Sequence, residues 1–174
     1  MSDPRATNGL GVVTGIHVAD GAGAPMQALS TVEATAGVGL TGDRYSRGTG
    51  HFSPRPREDG GRQVTLIEEE ATKAAADAVG VEFRALESRR NLATRGVSLN
   101  MLIGYRFRIG GAVMDGCGVC RPCTYLEEVT GKPVRQPLVD RGGLRARIVQ
   151  SGPISIGDRI EVVGLFPVAP TSVV

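Results

Sequence analysis

Alternating hydrophobic and polar residues run through most of this 174-residue chain and predict many short strands. Turn signals such as Gly110-Gly111, Gly142-Gly143 and Gly157-Asp158 separate many of them. The strand candidates are residues 11–18, 27–34, 62–67, 91–94, 105–109, 112–115, 145–150 and 159–163. Because a doubly wound α/β sheet would need more helical crossovers than this, we expect a mainly β, barrel-like domain with a few short helices.

Two segments carry helical signals. In the first, four alanines share one helical face: Ala71, Ala74, Ala75 and Ala78. Glutamates at 68–70 complement the start of this helix, and Gly80 is placed to end it. The second helix is predicted at 124–130, directly after Pro122 and Cys123. Since proline is favoured at the first helical position, we expect Cys123 to lie in the first turn.

Composition excludes several classes of protein. The net charge of +2 gives no argument for nucleic-acid binding. No apolar run approaches transmembrane length, and residues 1–10 lack the apolar core of a signal peptide, so we expect a cytoplasmic protein without a membrane partner. Residues 11–163 are predicted to form the domain. The preceding residues are expected to be disordered or loosely packed, and residues 164–174 to form a tail.

All three cysteines lie in one short segment, Cys117-Gly-Val-Cys120-Arg-Pro-Cys123, between a strand and the second helix. Thiolate is a soft metal ligand and a strong nucleophile, so the clustering of all three cysteines indicates a chemical role and not only a packing role. An odd, clustered set does not suit a secreted disulfide framework. Cys123 is the strongest candidate, because the predicted helix start and Arg121 both favour its thiolate.

Other interpretations of the cysteines remain open. Their spacing also suits three ligands of an iron–sulfur site, with the fourth ligand missing. His51 could instead complete a Cys₃His zinc site. Cys117 is expected to be a buried, inert thiol. Cys120 is close enough in sequence to form a disulfide with Cys123 when a persulfide releases its sulfur.

The stretch from residue 45 to residue 61 is rich in glycine, proline, arginine and serine and has no usable periodicity. Long irregular stretches inside a compact domain are usually functional or disordered. Two interpretations follow, a mobile lid over the site and a disordered surface insertion, and we favour the lid.

Four motifs in order resemble those of the MOSC family, named for the C-terminal domain of molybdenum cofactor sulfurase. They are Gly37-Val-Gly-Leu-Thr-Gly-Asp43-Arg44-Tyr45; the strand 63–67 entering the alanine-rich helix; Glu87-Ser-Arg89-Arg90-Asn91-Leu-Ala-Thr-Arg-Gly96; and Arg121-Pro-Cys123 followed by Gly142-Gly-Leu-Arg145-Ala-Arg147 and Gly157-Asp-Arg-Ile-Glu-Val162. The resemblance covers residues 11–163.

This resemblance implies a β-barrel-like fold that binds the molybdenum cofactor or handles its sulfur. The cysteine matching Cys123 would ligate molybdenum or carry a persulfide. One implied function is reduction of N-hydroxylated small molecules, with electrons from a separate reductase. The other is that of a sulfur carrier loaded by a pyridoxal-phosphate-dependent cysteine desulfurase. Pyridoxal phosphate itself enters by family association only, since neither Lys73 nor Lys132 has a Schiff-base context.

The residues support a cofactor site independently. Arginines suit the phosphate of molybdopterin, and thiolate suits the metal. The candidate cofactor-binding residues are Asp43, Arg44, Arg89, Arg90, Asn91, Arg121, Arg145 and Arg147, and the candidate catalytic residues are Cys120 and Cys123, with Cys123 also the metal ligand. Strand alternation would turn Arg90 towards the site and Arg89 away from it, leaving Arg89 to pair with Glu87 or another carboxylate. A plain turn at Asp43-Arg44 and a solvated basic face at Arg145 and Arg147 are the alternatives.

Overall fold

The computed structural model describes residues 10–55 and 57–166. Of the predicted terminal segments, 1–10 and 164–174, all but Leu10 and residues 164–166 lie outside these residues, and strand β11 continues to Leu165 where a tail was predicted. The strands are β1 (Val12–Val18), β2 (Gln27–Leu29), β3 (Thr31–Thr35), β4 (Gly39–Leu40), β5 (Val64–Glu68), β6 (Leu92–Arg95), β7 (Tyr105–Ile109), β8 (Ala112–Val119), β9 (Leu144–Gln150), β10 (Gly152–Ser155) and β11 (Ile160–Leu165). The helices are α1 (Glu69–Val79) and α2 (Thr124–Thr130), with 3-10 turns at Ala85–Ser88 and Leu99–Leu102.

Eight strands form one curled sheet in the order β11-β7-β8-β9-β5-β6-β1-β2, and β10-β3-β4 form a second sheet. The β5–β6 pair is parallel, and the other neighbours in the large sheet are antiparallel. The sheet curls until β1 meets β11, where the Leu10 amide donates to the Ile160 carbonyl at 2.7 Å and the Gly157 amide donates to the Val13 carbonyl at 2.8 Å. The mainly β, barrel-like prediction is confirmed.

Strand alternation builds the core. On β9, Leu144, Ala146 and Ile148 are buried and face the main apolar cluster inside the curled sheet. Arg145 and Arg147, between them, are partly exposed on the opposite face. A smaller cluster covers the outside of β5, where Ile67 packs with residues of α1 and α2. The segment carrying the cysteines is therefore held between the sheet and a second core.

The predicted elements differ from the structure mainly where strands are short. The predicted strand 27–34 is two strands that belong to different sheets, β2 and β3. The two-residue β4 was missed because it is too short to show a period, and β10 because it begins Gly-Pro. Helix α1 ends as predicted, since Gly80 takes the left-handed conformation with φ 69°.

Residues 45–61 contain turns and no helix or strand among those described. They precede β5, and Gly50 packs against the ring of Tyr45 within the stretch. A Cβ atom on Gly50 would lie 2.5 Å from the ring of Tyr45, so glycine is required for this packing. None of the helices in the described part of the chain has the length and apolar character needed to cross a membrane.

Candidate functional site

A pocket of about 600 Å³ lies beside the paired strands β5, β9 and β8, with Thr65, Arg145 and Val119 in its lining. Its walls come from the 45–61 stretch, from the residues before β6 and from the cysteine segment. We call it the arginine pocket, because seven arginines and two cysteines line it and no carboxylate does. The lining residues are Arg44, Tyr45, Phe52, Arg57, Arg62, Thr65, Arg89, Arg90, Val119, Cys120, Arg121, Pro122, Cys123 and Arg145.

Arg89 is the least satisfied of these arginines. It is 7% exposed, and its Nη2 atom is buried without a hydrogen-bond partner among the described residues, while Nη1 donates to the Ala24 carbonyl at 2.8 Å. Burial and the nearby Arg44 lower the pKa of its guanidinium. A buried cationic N–H without an acceptor is costly, so an anionic group beside this guanidinium would be stabilising.

The prediction that Arg89 turns away from the site and pairs with a carboxylate is wrong. Strand β6 begins only at Leu92, and Arg89 ends a 3-10 turn in the left-handed conformation with φ 63°. Strand alternation therefore does not apply, and both Arg89 and Arg90 line the pocket. Glu87 accepts a hydrogen bond from Lys132 instead.

Asp43 is fully buried and lies behind the pocket wall. Its carboxylate accepts hydrogen bonds from Nη1 of Arg44 at 3.0 Å and from the backbone amides of Ala19 and Tyr45. Nη2 of Arg44 in turn donates to the Arg89 carbonyl at 2.9 Å. Asp43 therefore orients Arg44 and supports the backbone at Arg89, while Arg44 itself lines the pocket.

Arg90 fastens the cysteine segment. Its Nε donates to the Gly142 carbonyl at 2.9 Å, and its Nη2 donates to the Arg121 carbonyl at 3.5 Å. The Cys120 amide donates to the Gly143 carbonyl at 2.7 Å. A Cβ on Gly142 would lie 2.2 Å from the Cys120 carbonyl oxygen, so only glycine permits this approach. The pair Gly142-Gly143 therefore allows the cysteine segment to pack closely against the start of β9.

Asn91 does not line the pocket. It is fully buried, its Oδ1 accepts from the Thr65 amide at 3.1 Å, and its Nδ2 donates to the His17 carbonyl at 3.1 Å. The amide side chain therefore joins β1 to β5 beneath the pocket floor. Nδ1 of His17 lies 3.1 Å from the Arg90 carbonyl, and burial lowers the pKa of this histidine.

Arg145 and Arg147 make different contacts. Arg145 lines the pocket, where its Nε donates to the Val119 carbonyl at 3.3 Å and its Nη1 lies 3.4 Å from Oδ2 of Asp59. Arg147, two residues further along β9, pairs with the buried Asp115 at 3.0 Å and stacks over Phe166. Arg147 is therefore outside the pocket, although it shares a strand face with Arg145.

Positive charge exceeds negative charge at the pocket. Asp43 pairs with Arg44, and Asp59 pairs with Arg57 and Arg145. Burial favours the protonated form of Asp59, but the Gly61 amide and Arg145 outweigh it and hold the pKa of that carboxyl below its usual value. No described carboxylate forms an ion pair with the remaining four arginines, Arg62, Arg89, Arg90 and Arg121. This balance favours an anionic ligand.

Cys120 and Cys123 are free, half-buried thiols in the pocket wall. Cys123 is the N-cap of α2 with extended dihedrals of −131° and 165°, so the prediction that it lies inside the first helical turn is wrong. Pro122 precedes the cap and is not the first helical residue, and the chain at Cys123 is still extended. Arg121 is exposed at the pocket rim.

Cys117 lies on β8, outside the pocket. Its Sγ contacts the Asp115 carbonyl at 3.4 Å and the Asp59 carbonyl at 3.7 Å. Burial, followed by the charge of Asp59, raises the pKa of this thiol. Cys117 is partly buried and not fully buried as predicted, and its raised pKa is consistent with an inert thiol, which stays a prediction.

The Cys₃His zinc site that the sequence suggested as one interpretation does not form. Among the described residues, no three histidine, cysteine or acidic side chains come together in a group that could hold a metal ion. His51 stacks on Tyr125 of α2, with ring centroids 3.8 Å apart. Neither lysine lines the pocket, since Lys73 pairs with Asp77 on α1 and Lys132 pairs with Glu87.

The 45–61 stretch contributes residues that the sequence analysis did not propose for the site: Tyr45, Phe52 and Arg57. Arg62, just beyond it, fastens the stretch: its Nη1 donates to the carbonyls of Phe52 at 3.1 Å and Arg55 at 2.6 Å. Its guanidinium also lies over the Phe52 ring at 4.6 Å. The excess of arginine in this stretch was the available signal. The stretch does form a wall of the site, and its mobility stays a prediction.

The donor set of the pocket fits the molybdenum cofactor. A phosphate group matches the unpartnered Nη2 of Arg89 and the uncompensated arginines around it, and thiols suit a soft metal centre. A volume of about 600 Å³ lies within the range of small-molecule and cofactor sites.

Comparison with known proteins places the fold. Among solved structures, YuaD from Bacillus subtilis is 21% identical with a TM-score of 0.73, covering 87% of this chain and 94% of that chain. YiiM from Escherichia coli is 19% identical with a TM-score of 0.65, covering 89% of this chain and 71% of that one. YiiM from Geobacillus stearothermophilus is 14% identical with a TM-score of 0.62, and the two coverages are 88% and 73%.

No curated protein matches the sequence significantly. The model of the MOSC domain matches residues 41–161, which is well over half of the chain and includes the cysteine segment and every residue that lines the arginine pocket. The chain therefore belongs to the MOSC domain family.

Proposed function

We propose that the arginine pocket binds the molybdenum cofactor and that the protein uses it to reduce N-hydroxylated small molecules. The observation that carries this proposal is the buried Nη2 of Arg89, which has no described partner and lies in a pocket that also contains two free thiols. When bound, the cofactor supplies two-electron redox chemistry at its metal. A separate reductase would deliver the electrons.

The arginines would hold the phosphate end of the cofactor. Arg89 presents an unpartnered Nη2, and Arg44 is already oriented beside it by Asp43. Hydrogen bonds between a guanidinium and a phosphate are charge-assisted, and each contributes about 1.5–3 kcal/mol in a buried setting. Arg121 at the rim and Arg62 in the wall add positive charge without a described carboxylate partner.

The thiols would face the metal end. Cys123 is the proposed molybdenum ligand, and Cys120 lies in the same wall. Arg90 holds their segment through the carbonyls of Gly142 and Arg121, which fixes the thiols relative to the phosphate-binding arginines. A pocket with thiols and arginines in fixed relation suits a ligand with a soft metal at one end and a phosphate at the other.

Metal content tests the binding step. The protein and its variants would be produced in a molybdenum-replete host, purified without oxygen, and examined by elemental analysis and native mass spectrometry. We expect bound molybdenum and a mass matching molybdopterin in the wild type. Cys123→Ser should lose the molybdenum, whereas Cys117→Ser, which changes a thiol outside the pocket, should keep it. Absence of the cofactor from the wild type, or its full retention in Cys123→Ser, would contradict the proposal.

Turnover tests the reaction. An N-hydroxylated nucleobase would be incubated with the loaded protein and reduced viologen dye as the electron source, and the corresponding amino compound would be measured. We expect product with the wild type and none with Cys123→Ser. Loaded wild-type protein that reduces no N-hydroxylated compound would leave the cofactor site intact but remove the reductase assignment.

A sulfur carrier is the second candidate, because Cys120 and Cys123 line one pocket together. A cysteine desulfurase would transfer sulfane sulfur to the Cys123 thiolate to give a persulfide. Attack of the Cys120 thiolate on Sγ of Cys123 would then form a disulfide and release hydrosulfide. Mass spectrometry should find one added sulfur atom on Cys123 after incubation with a desulfurase and cysteine. Cys120→Ala should slow sulfur release and leave loading unchanged, and equal loss of both would contradict this role.

A further inference from the structure

A second cavity, of about 220 Å³, adjoins the arginine pocket. We call it the side chamber. Four residues line both cavities: Tyr45, Phe52, Arg57 and Arg62. The side chamber extends from them towards Val38, which is 47% exposed, and Gly48 and Gly60 also line it. A molecule held in the side chamber would therefore touch the wall of the arginine pocket.

The lining of the side chamber combines apolar surface with positive charge. Phe52, Tyr45 and Val38 provide the apolar surface, and Arg57 and Arg62 provide the charge, with no carboxylate in the lining. A free volume of about 220 Å³ leaves room for one aromatic ring with a small substituent. The chamber is too small for a cofactor and suits a small ring compound.

Arg62 indicates which substituent a ring compound bound in the side chamber would carry. Its Nη1 donates to two loop carbonyls and its guanidinium lies over the Phe52 ring. Nε and Nη2 have no hydrogen-bond partner among the described residues, and no described carboxylate pairs with this arginine. Arg57 is paired with Asp59 at 3.6 Å on the exposed side. The free charge at the junction of the two cavities is therefore that of Arg62, and a carboxylate would match its fork of N–H groups.

We propose that the side chamber binds small aromatic acids, with the ring against Phe52 and Val38 and the acid group at Arg62. Its role as the substrate subsite rests on the proposed function of the arginine pocket. In that role the chamber would favour, among N-hydroxylated substrates, those that carry a single aromatic ring and a negative charge over neutral ones. The binding itself requires only the residues of this chain.

Benzoate is the probe for this site. A titration of the cofactor-free protein followed by ¹H–¹⁵N NMR should shift the amides of Gly48, Gly60 and Gln63, which line only the side chamber. The Val119, Cys120 and Arg121 amides, which line only the arginine pocket, should move much less. Benzylamine, which has the same ring and the opposite charge, should produce no such shifts. Equal binding of benzylamine, or benzoate shifts confined to the arginine-pocket amides, would overturn the proposal.

Two variants sharpen the test. Val38→Trp should fill the chamber and weaken benzoate binding by at least about tenfold, whereas Val139→Trp, at an equally exposed valine outside both cavities, should not. Arg62→Met should weaken benzoate binding to a similar extent, because it removes the positive charge and leaves an unbranched apolar side chain. Unchanged affinity in both chamber variants would overturn the proposal.

Molybdenum content separates this inference from the proposed function. If Val38→Trp keeps its molybdenum and benzoate does not bind the wild type, the side-chamber proposal fails alone. If benzoate binds as described and no protein carries molybdenum, the cofactor proposal fails and the aromatic-acid site stands.

Discussion

Replacement of Arg89 with glutamine tests whether the arginine pocket binds phosphate. Nη1 of Arg89 is occupied by the Ala24 carbonyl, and Nη2 is buried without a described partner. A phosphate oxygen at Nη2 would accept one charge-assisted hydrogen bond, which contributes about 2 kcal/mol. The dissociation constant for inorganic phosphate should therefore rise about 30-fold in the variant, and further if phosphate also contacts Nε.

The same substitution should change the stability of the ligand-free protein little. It removes the hydrogen bond to the Ala24 carbonyl, but it also removes a buried cation whose charged form is disfavoured by burial. These effects oppose each other, so the free energy of unfolding in phosphate-free buffer should change by no more than about 1 kcal/mol. In saturating phosphate the wild type should gain stability that the variant does not.

Calorimetric titration with phosphate and chemical unfolding with and without phosphate measure both quantities. Arg108→Gln is the matched control, because Arg108 is exposed on β7 away from the pocket and the change in net charge is the same. Phosphate binding by Arg89→Gln at wild-type affinity would refute the reasoning. Equal weakening in both variants would also refute it, because overall charge would then explain the effect.

Three further predictions concern the support of the site. Gly143→Ala should destabilise the protein by about 3 kcal/mol in chemical unfolding, because its Cβ would lie 2.0 Å from the Leu66 carbonyl oxygen at φ 109°; Gly164→Ala, with open space around it, should be neutral. Burial lowers the pKa of His17, so its contribution to stability is complete above its unfolded pKa of about 6.5 and is lost as pH falls. In His17→Asn the free energy of unfolding should fall less steeply with decreasing pH than in the wild type, by up to about 1.4 kcal/mol per pH unit. Parallel plots of unfolding free energy against pH for the two proteins would contradict this. Iodoacetamide should modify the two pocket cysteines at least about tenfold faster than Cys117, whose pKa is raised; mass spectrometry of the labelled peptides would show the order.

Local patterns anticipated most of the regular structure. The alanine face of α1 and the stop at Gly80 follow from helical periodicity and from the ease with which glycine adopts a left-handed cap. The alternation predicted for residues 145–150 correctly placed Arg145 and Arg147 on one face, because the strand period is two. Where the period was interrupted, as in the two-residue β4, the sequence carried no signal.

The structural role of individual polar residues depended on partners that lie far away in the sequence. Asn91 and Arg89 are two residues apart, yet Asn91 is used to join β1 to β5 and Arg89 is left with an unpartnered nitrogen in the pocket. Arg145 and Arg147 share a strand face, but Asp115 on β8 engages only the second. Such pairings are long-range contacts, and local spacing does not encode them.

The sequence by itself determined the mainly β class, the family resemblance, the two short helices and the concentration of thiols and arginines in a few segments, because these depend on residue type and local period. The tertiary structure alone decided which of these residues meet. It placed seven arginines and two of the three cysteines around one pocket, left Cys117 outside it, and brought Phe52 and Arg62 into its wall. The physical reason is that strand pairing places β5 and β8 on either side of β9, although the three strands lie far apart in sequence. Each buried charge is then fixed by the partners that surround it.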